Sequence, residues 1–314
     1  MSNEQKMPKP NEALRDFFED NETFADLFNT YAFGGKQVIQ PDDLISADSA
    51  YADTVKKAVG VEKIGKYRDL IRKSALGAEF VILALENQDK VHYAMPIKVM
   101  LYDVLEYVAE CKSLGVTQDS SSWTVDEFLS GISKGTMLTP VFTIVFYTGE
   151  KEWDGPRSLH DMVLMNQSIR QFIPDYGLHL IDMGHDRKLS FGSKSLKELN
   201  HVLNSIYKEE FNTDKTVVSS STLSLAGILV NDKHLYERSR EGGSVVVCEA
   251  LNKYWQDGVN KGIEQGIEQG EALRLVKSIE ANMRNFHIDL ETACKGNDVT
   301  VEEYRKAKMC IGEK

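Results

Sequence analysis

The feature that most constrains this chain is the run Glu79-Phe80-Val81-Ile82-Leu83-Ala84-Leu85-Glu86. Laid out as a strand, it places Phe80, Ile82 and Ala84 on one face and Val81, Leu83 and Leu85 on the other. Such a strand must be covered on both sides, which predicts a sheet flanked by helices. The charged stretch Tyr67 to Lys73 ahead of it reads as the other arm of a β-hairpin. If the chain turns near Leu76, Asp69 falls opposite Ala84. Further strands are expected at Pro140 to Tyr147 and at Leu178 to Asp182.

Helical periodicity surrounds these strands. Leu14, Phe17, Phe18, Phe24, Leu27 and Phe28 recur at roughly helical spacing, with an interruption near Asn21, and predict a helix that packs on the sheet. Residues 1–10 read as a disordered tail, and residues 33–45, with two glycines and Pro41, as a loop holding a short extended piece. Ile97, Leu101, Leu105 and Val108 form a helical stripe, and Pro96 suits a first helical position. A short helix is expected at Val125 to Ile132. Another carries Leu196, Leu199, Leu203 and Ile206, and Val217 to Leu229 continues helical.

The expected organisation is a sheet-containing domain over residues 11–212 and an all-helical region over 213–314. The latter holds the repeat GVNKGIEQGIEQGEAL, with glycine at 258, 262, 266 and 270. Glycines four apart on a 3.6-residue helix trace a shallow spiral along which a partner helix can approach closely. The same pattern also fits a solvated, weakly stable helix, because each glycine costs about 1 kcal/mol relative to alanine. Residues 275–308 read as short helices, the last opening on a capping box from Thr300 to Glu303.

Composition narrows the function classes. The longest apolar runs fall far short of the ~20 residues that span a bilayer, and the chain reads as cytoplasmic with no membrane partner. Cys111, Cys248, Cys294 and Cys310 lie apart, without the spacing of a zinc site or a disulfide framework. No GxxxxGK[ST] loop is present, so a nucleotide cofactor is not expected. The seven histidines form no HExxH and no close pair. A net charge of −11 opposes nucleic-acid binding over the whole surface and leaves room only for a local basic groove.

The residues that carry chemistry are Asp69, Glu86 and Gln88. Two residues apart in a strand, Glu86 and Gln88 project from one face about 6–7 Å from each other. With the hairpin register above, Asp69 is the diagonal neighbour of Glu86, within the ~7–8 Å at which two carboxylates can share a cation. Their oxygens, with the backbone carbonyl beside Gln88, suit Mg²⁺ or Mn²⁺, ions that assist phosphodiester hydrolysis. The spacing equally fits two strand-end carboxylates reaching solvent, with Arg68, Arg72 or Lys73 as ion-pair partners.

The stretch RDLIRKSALGAEFVILALENQDKVHYAMPIKVMLYDVLEYV, Arg68 to Val108, resembles the core of the recombination-promoting nuclease/putative transposase (Rpn) family of the PD-(D/E)xK superfamily. A second block, TPVFTIVFYTGEKEWDGPRSLHDM, Thr139 to Met162, looks like that family's strand and the Gly-Trp-Pro-rich turn after it. With FADLFN near the N-terminus and the GIEQ repeat, the resemblance covers most of the chain.

The resemblance implies a restriction-endonuclease-like α/β core with a mixed central sheet, and a metal-dependent DNA endonuclease acting as a homo-oligomer. Asp69 corresponds to the first acidic residue, Glu86 to the second carboxylate, and Gln88 to the position that is lysine in the wider superfamily. A neutral amide orients water but cannot offset charge as an ammonium does. The cation is therefore expected from Lys98, in the following helix, or from Lys90. Asp26, on the first helix, is a third acidic candidate for the metal. The rival reading is a catalytically silent DNA-binding or interaction module on the same scaffold.

Overall fold

The computed structural model describes residues 7–46, 70–76, 79–117, 119–186, 188–208, 214–238 and 243–312. The tail at 1–6 and the whole of 47–69, Asp69 included, lie outside the described residues.

A five-stranded mixed sheet organises the larger part of the chain, in the order β1 (Ile45–Ser46), β2 (Leu70–Leu76), β3 (Glu79–Gln88), β4 (Val141–Tyr147), β5 (His179–Asp182). The first three strands run antiparallel, whereas β3, β4 and β5 are parallel, so their C-terminal ends fall on one edge. The hairpin register differs from the expected one. Ile71 pairs with Ala84 and Leu70 with Leu85, a shift of two residues that preserves which face each side chain takes. The turn supplies the difference: Leu76 pairs with Glu79, so the hairpin closes after Leu76 rather than at it.

Helices cover both faces. On one side lie α1 (Pro10–Phe17) and α2 (Asn21–Phe33), broken where Asp20 caps α2 by accepting the Thr23 amide. Phe18 meets Phe146 edge to face at 5.1 Å, and Phe28 meets Phe142 at 5.3 Å. On the other side α3 (Met95–Thr117) packs through Met95 and Val99 against Val145, Tyr147, Trp153 and Leu180.

The stripe expected on α3 points inward only in its second half, where Leu105 is buried. Ile97 and Leu101 are 44% and 46% exposed, while Met95, Val99, Asp103, Glu106 and Ala109 are buried. The buried positions recur at four, four, three and three residues, a helical period that includes two acids. Asp103 is held inside by the hydroxyls of Thr143, at 2.6 Å, and Tyr176.

Before β4 lies α4 (Val125–Ser130), and after it come α5 (Gln167–Arg170), α6 (Lys194–Lys208), β6 (Val217–Ser219) and α7 (Ser220–Leu229). Then follow α8 (Lys233–Arg238) and β7 (Ser244–Val246), which pairs with β6. The chain divides into two compact units, Met1–Cys248 and Glu249–Lys314. The boundary expected at 212 therefore lies inside the first unit, because α7 packs on α1 and α6. The expected helix at 217–229 also begins as the short strand β6.

The GIEQ repeat is helical, within the 40-residue α9 (Val247–Phe286). In the second unit Ala272, Val276 and Ile279 of α9 form a core with Ala293 and Cys294 of α10 (Leu290–Lys295) and Tyr304 and Ala307 of α11 (Val301–Cys310). The Thr300–Glu303 capping box forms as expected. Among the described residues no helix is long and apolar enough to cross a membrane.

Candidate active site

Glu86 stands near the C-terminal end of β3, paired with Val145, and so faces α3. Its side chain is 2% exposed, and its Oε2 lies 2.8 Å from the Lys98 ammonium. Lys98 reaches it from the first turn of α3, with its ammonium also 5.7 Å from the centre of the Tyr102 ring, one turn further on. Buried charge is tolerated only with a close partner. Of the two lysines expected as the cation of the site, Lys98 is joined to Glu86, whereas Lys90 is exposed in the turn after β3.

Gln88 closes β3 two residues on, opposite Tyr147. Its amide donates to the Asn87 carbonyl at 2.7 Å, and its own carbonyl accepts from the Thr148 amide at 2.9 Å. The strand end is therefore pinned by β4. Tyr147 beside it is 1% exposed and donates to the Lys151 carbonyl at 2.6 Å. Burial, reinforced by the Asp182 charge, pushes its hydroxyl up to about 12 and keeps it neutral. Trp153 stands edge-on to it at 5.2 Å, so both rings are packing residues.

Asp26 is engaged elsewhere. Its oxygens accept the Gly192 amide at 2.9 and 3.0 Å and the Ser193 amide at 2.9 Å, immediately before α6. A Cβ at Gly192 would come within 2.6 Å of Asp26 Oδ1, so the close approach requires glycine there. The carboxylate thus satisfies amide donors at the start of α6.

At the same edge of the sheet, Asp182 ends β5 with one oxygen 2.7 Å from His185 Nδ1 and the other accepting the Trp153 amide at 3.0 Å. This pairing was not foreseen, because the histidines form no motif in the sequence that announces it. The inward-facing Asp103 and Glu106 were missed too; the one sequence signal for them is their place in the Met95–Val99–Asp103–Glu106 series. Among the described residues no group of three or more His, Cys, Asp or Glu converges as a metal site.

The family model described as putative transposase, YhgA-like, matches residues 73–226. This segment, just under half of the chain, is similar to that putative transposase family. The matched span begins within β2 and ends within α7, taking in Glu86, Gln88 and Lys98, while Asp69 falls four residues before it. No curated protein and no solved structure matches the chain.

Proposed function

We propose that this chain is a metal-dependent DNA endonuclease of the PD-(D/E)xK type, linked to mobile-element or recombination biology, with Glu86 at its centre. The observation that carries the proposal is the buried Glu86 carboxylate paired with the half-buried Lys98 at the edge where three parallel strands end. The C-terminal ends of parallel strands are where sites on such sheets collect. The transposase family supports a DNA substrate.

Glu86 and Asp69 are the residues proposed to hold Mg²⁺ or Mn²⁺. Asp69 directly precedes Leu70, and Leu70 pairs with Leu85, the residue before Glu86. One or two hard carboxylates are what Mg²⁺ takes from protein when waters and substrate phosphates complete its shell, so the donor types fit. Asp26, with three backbone bonds to its carboxylate, is not included. When bound, the cation would polarise the scissile phosphate and acidify a water. The protein's own groups have separate tasks. Lys98 holds Glu86 in one orientation and sets a positive charge where the phosphate gathers negative charge. Gln88, whose side chain is fixed on the Asn87 carbonyl, shapes the site without carrying charge.

That fixed, neutral Gln88 is also the observation that favours the second reading, a silent DNA-binding module. Supercoiled plasmid incubated with Mg²⁺ or Mn²⁺ and with chelator separates the two. Divalent-dependent nicking that disappears in Glu86→Ala supports the nuclease; tight DNA binding with no nicking under either metal establishes the silent module.

A further inference from the structure

A polar cleft of about 530 Å³ lies between Leu189–Phe191 and α6, within the ~300–1,000 Å³ of small-molecule sites. Lys197, Asn200, His201, Asn204 and Ser205 line it from α6, at spacings that put all five on one helix face. Asp214 completes the lining.

The wall is rigid. Asn200 donates to the Met183 and Asp186 carbonyls at 2.8 and 3.1 Å, and Asn204 donates to Met183 O at 3.2 Å. These bonds tie α6 to the chain just past β5 and fix the neighbouring side chains on the helix.

The charges are unequally occupied. Asp214 has no oxygen to spare: Oδ1 accepts the Thr216 amide at 3.0 Å, and Oδ2 lies 2.6 Å from His201 Nε2 and 3.4 Å from Ser205 Oγ. Burial raises its pKa, but the bonds from Thr216 and the His201 imidazole outweigh burial and hold the carboxyl below the usual range. Lys197 is exposed and makes no ion pair or side-chain hydrogen bond among the described residues. With Nε2–H donating to Asp214, a neutral His201 ring keeps Nδ1 as an acceptor for a P–OH group, and Ser190 adds a hydroxyl.

We propose that this cleft binds a phosphate group, with Lys197 supplying the charge and His201 and Ser190 the hydrogen bonds. A cation would find its one carboxylate already satisfied. An apolar ligand would find only Leu189 and Phe191, and Phe191 is buried. A cation, a hydroxyl and an imidazole nitrogen lining a polar space match a phosphate monoester, for which lysine serves as a point charge. The phosphate can be free or terminal on a nucleic-acid strand, and the volume admits an attached nucleoside. The site is separate from Glu86 and does not depend on the nuclease reading.

Calorimetric titration of the full chain tests the assignment with three probes: inorganic phosphate, a 5′-phosphorylated dinucleotide, and the same dinucleotide without its phosphate. Saturable binding of the phosphorylated probes is expected, weakened at least fivefold in Lys197→Ala and lost in the double variant with His201→Gln. Tighter binding of the phosphorylated dinucleotide than of inorganic phosphate assigns the site to strand ends; the reverse assigns it to the free anion. Glu86→Ala should bind like the wild type, so loss of the nuclease reading leaves this result intact. No saturable heat from the wild type, equal binding of the unphosphorylated dinucleotide, or undiminished affinity in Lys197→Ala overturns the proposal. Lys197 is an exposed side chain, so that single variant decides even if the double variant unfolds.

Discussion

Two carboxylates illustrate how differently buried acids are used here. Glu86 is paired with a lysine side chain, whereas Asp26 is satisfied by backbone amides 166 and 167 residues away. Replacing Lys98 by alanine leaves Glu86 without its 2.8 Å ammonium. We expect this to lower stability by about 1–3 kcal/mol, tempered by the partial exposure of Lys98. Urea denaturation reads that loss, and an unchanged midpoint would remove the pair from the stability argument. Asp26→Asn keeps the shape but replaces one accepting oxygen with a donor facing amides, an expected loss of about 1–2 kcal/mol. If plasmid nicking is lost while the unfolding midpoint stays in place, Asp26 serves the site and not the fold. The Glu86–Lys98 pair was legible because a strand and the start of the next helix bring the two together over a short span. The partners of Asp26 were not, since no local pattern announces a contact across 166 residues.

Strands were more legible than helix faces. The runs at 140–147 and 178–182 appear as β4 and β5 within a residue, because unbroken apolar runs of that length have few other uses. The first half of the α3 stripe failed because apolar periodicity assumes that only apolar residues turn inward, and here Thr143 and Tyr176 make burial of Asp103 affordable. A similar buried acid, Glu198 on α6, accepts from the Ser219 amide and hydroxyl at 2.9 and 2.8 Å and from Thr222 Oγ1 at 3.0 Å, joining α6 to the cap of α7. Burial raises its pKa, yet these bonds hold the carboxyl below its ordinary range. A depressed folded-state pKa gives stability that is present above the unfolded value and lost as pH falls through the folded one. Glu198→Gln should therefore be less stable than the wild type at pH 7 and approach it once pH drops below the carboxylate range. Parallel denaturation curves at both pH values check this, and a gap that persists in acid would contradict it. Gly227 makes the next joint: a Cβ there would come within 2.6 Å of the Tyr236 amide nitrogen and 3.0 Å of Leu235 C. Because backbone cannot swing aside, Gly227→Ala should cost about 1–3 kcal/mol in thermal or urea unfolding, although alanine is ordinarily the better helix former.

At the scale of the molecule, the sequence located the change from sheet to helices near residue 212, whereas the first compact unit runs to Cys248. Helical periodicity after 212 was real, but periodicity does not tell which unit a helix belongs to; burial does. Leu223, Leu225, Ala226, Ile228 and Leu229 of α7 are all buried, and α7 packs on α1 at the opposite end of the sequence as well as on α6. Each fully buried leucine or isoleucine contributes about 1.5–3 kcal/mol, so losing several at once is comparable to the ~5–15 kcal/mol of a whole domain. A chain ended at residue 212 would also bare the surfaces of α1 and α6 that α7 covers. One ended at Cys248 keeps α7, α8 and the β6–β7 pair. We therefore expect residues 1–248 to show a cooperative thermal transition and residues 1–212 to show none, with the shorter chain aggregating on expression. A cooperative transition in residues 1–212 would instead establish the five-stranded sheet and its immediate helices as the folding unit, and reduce 217–248 to an appendage.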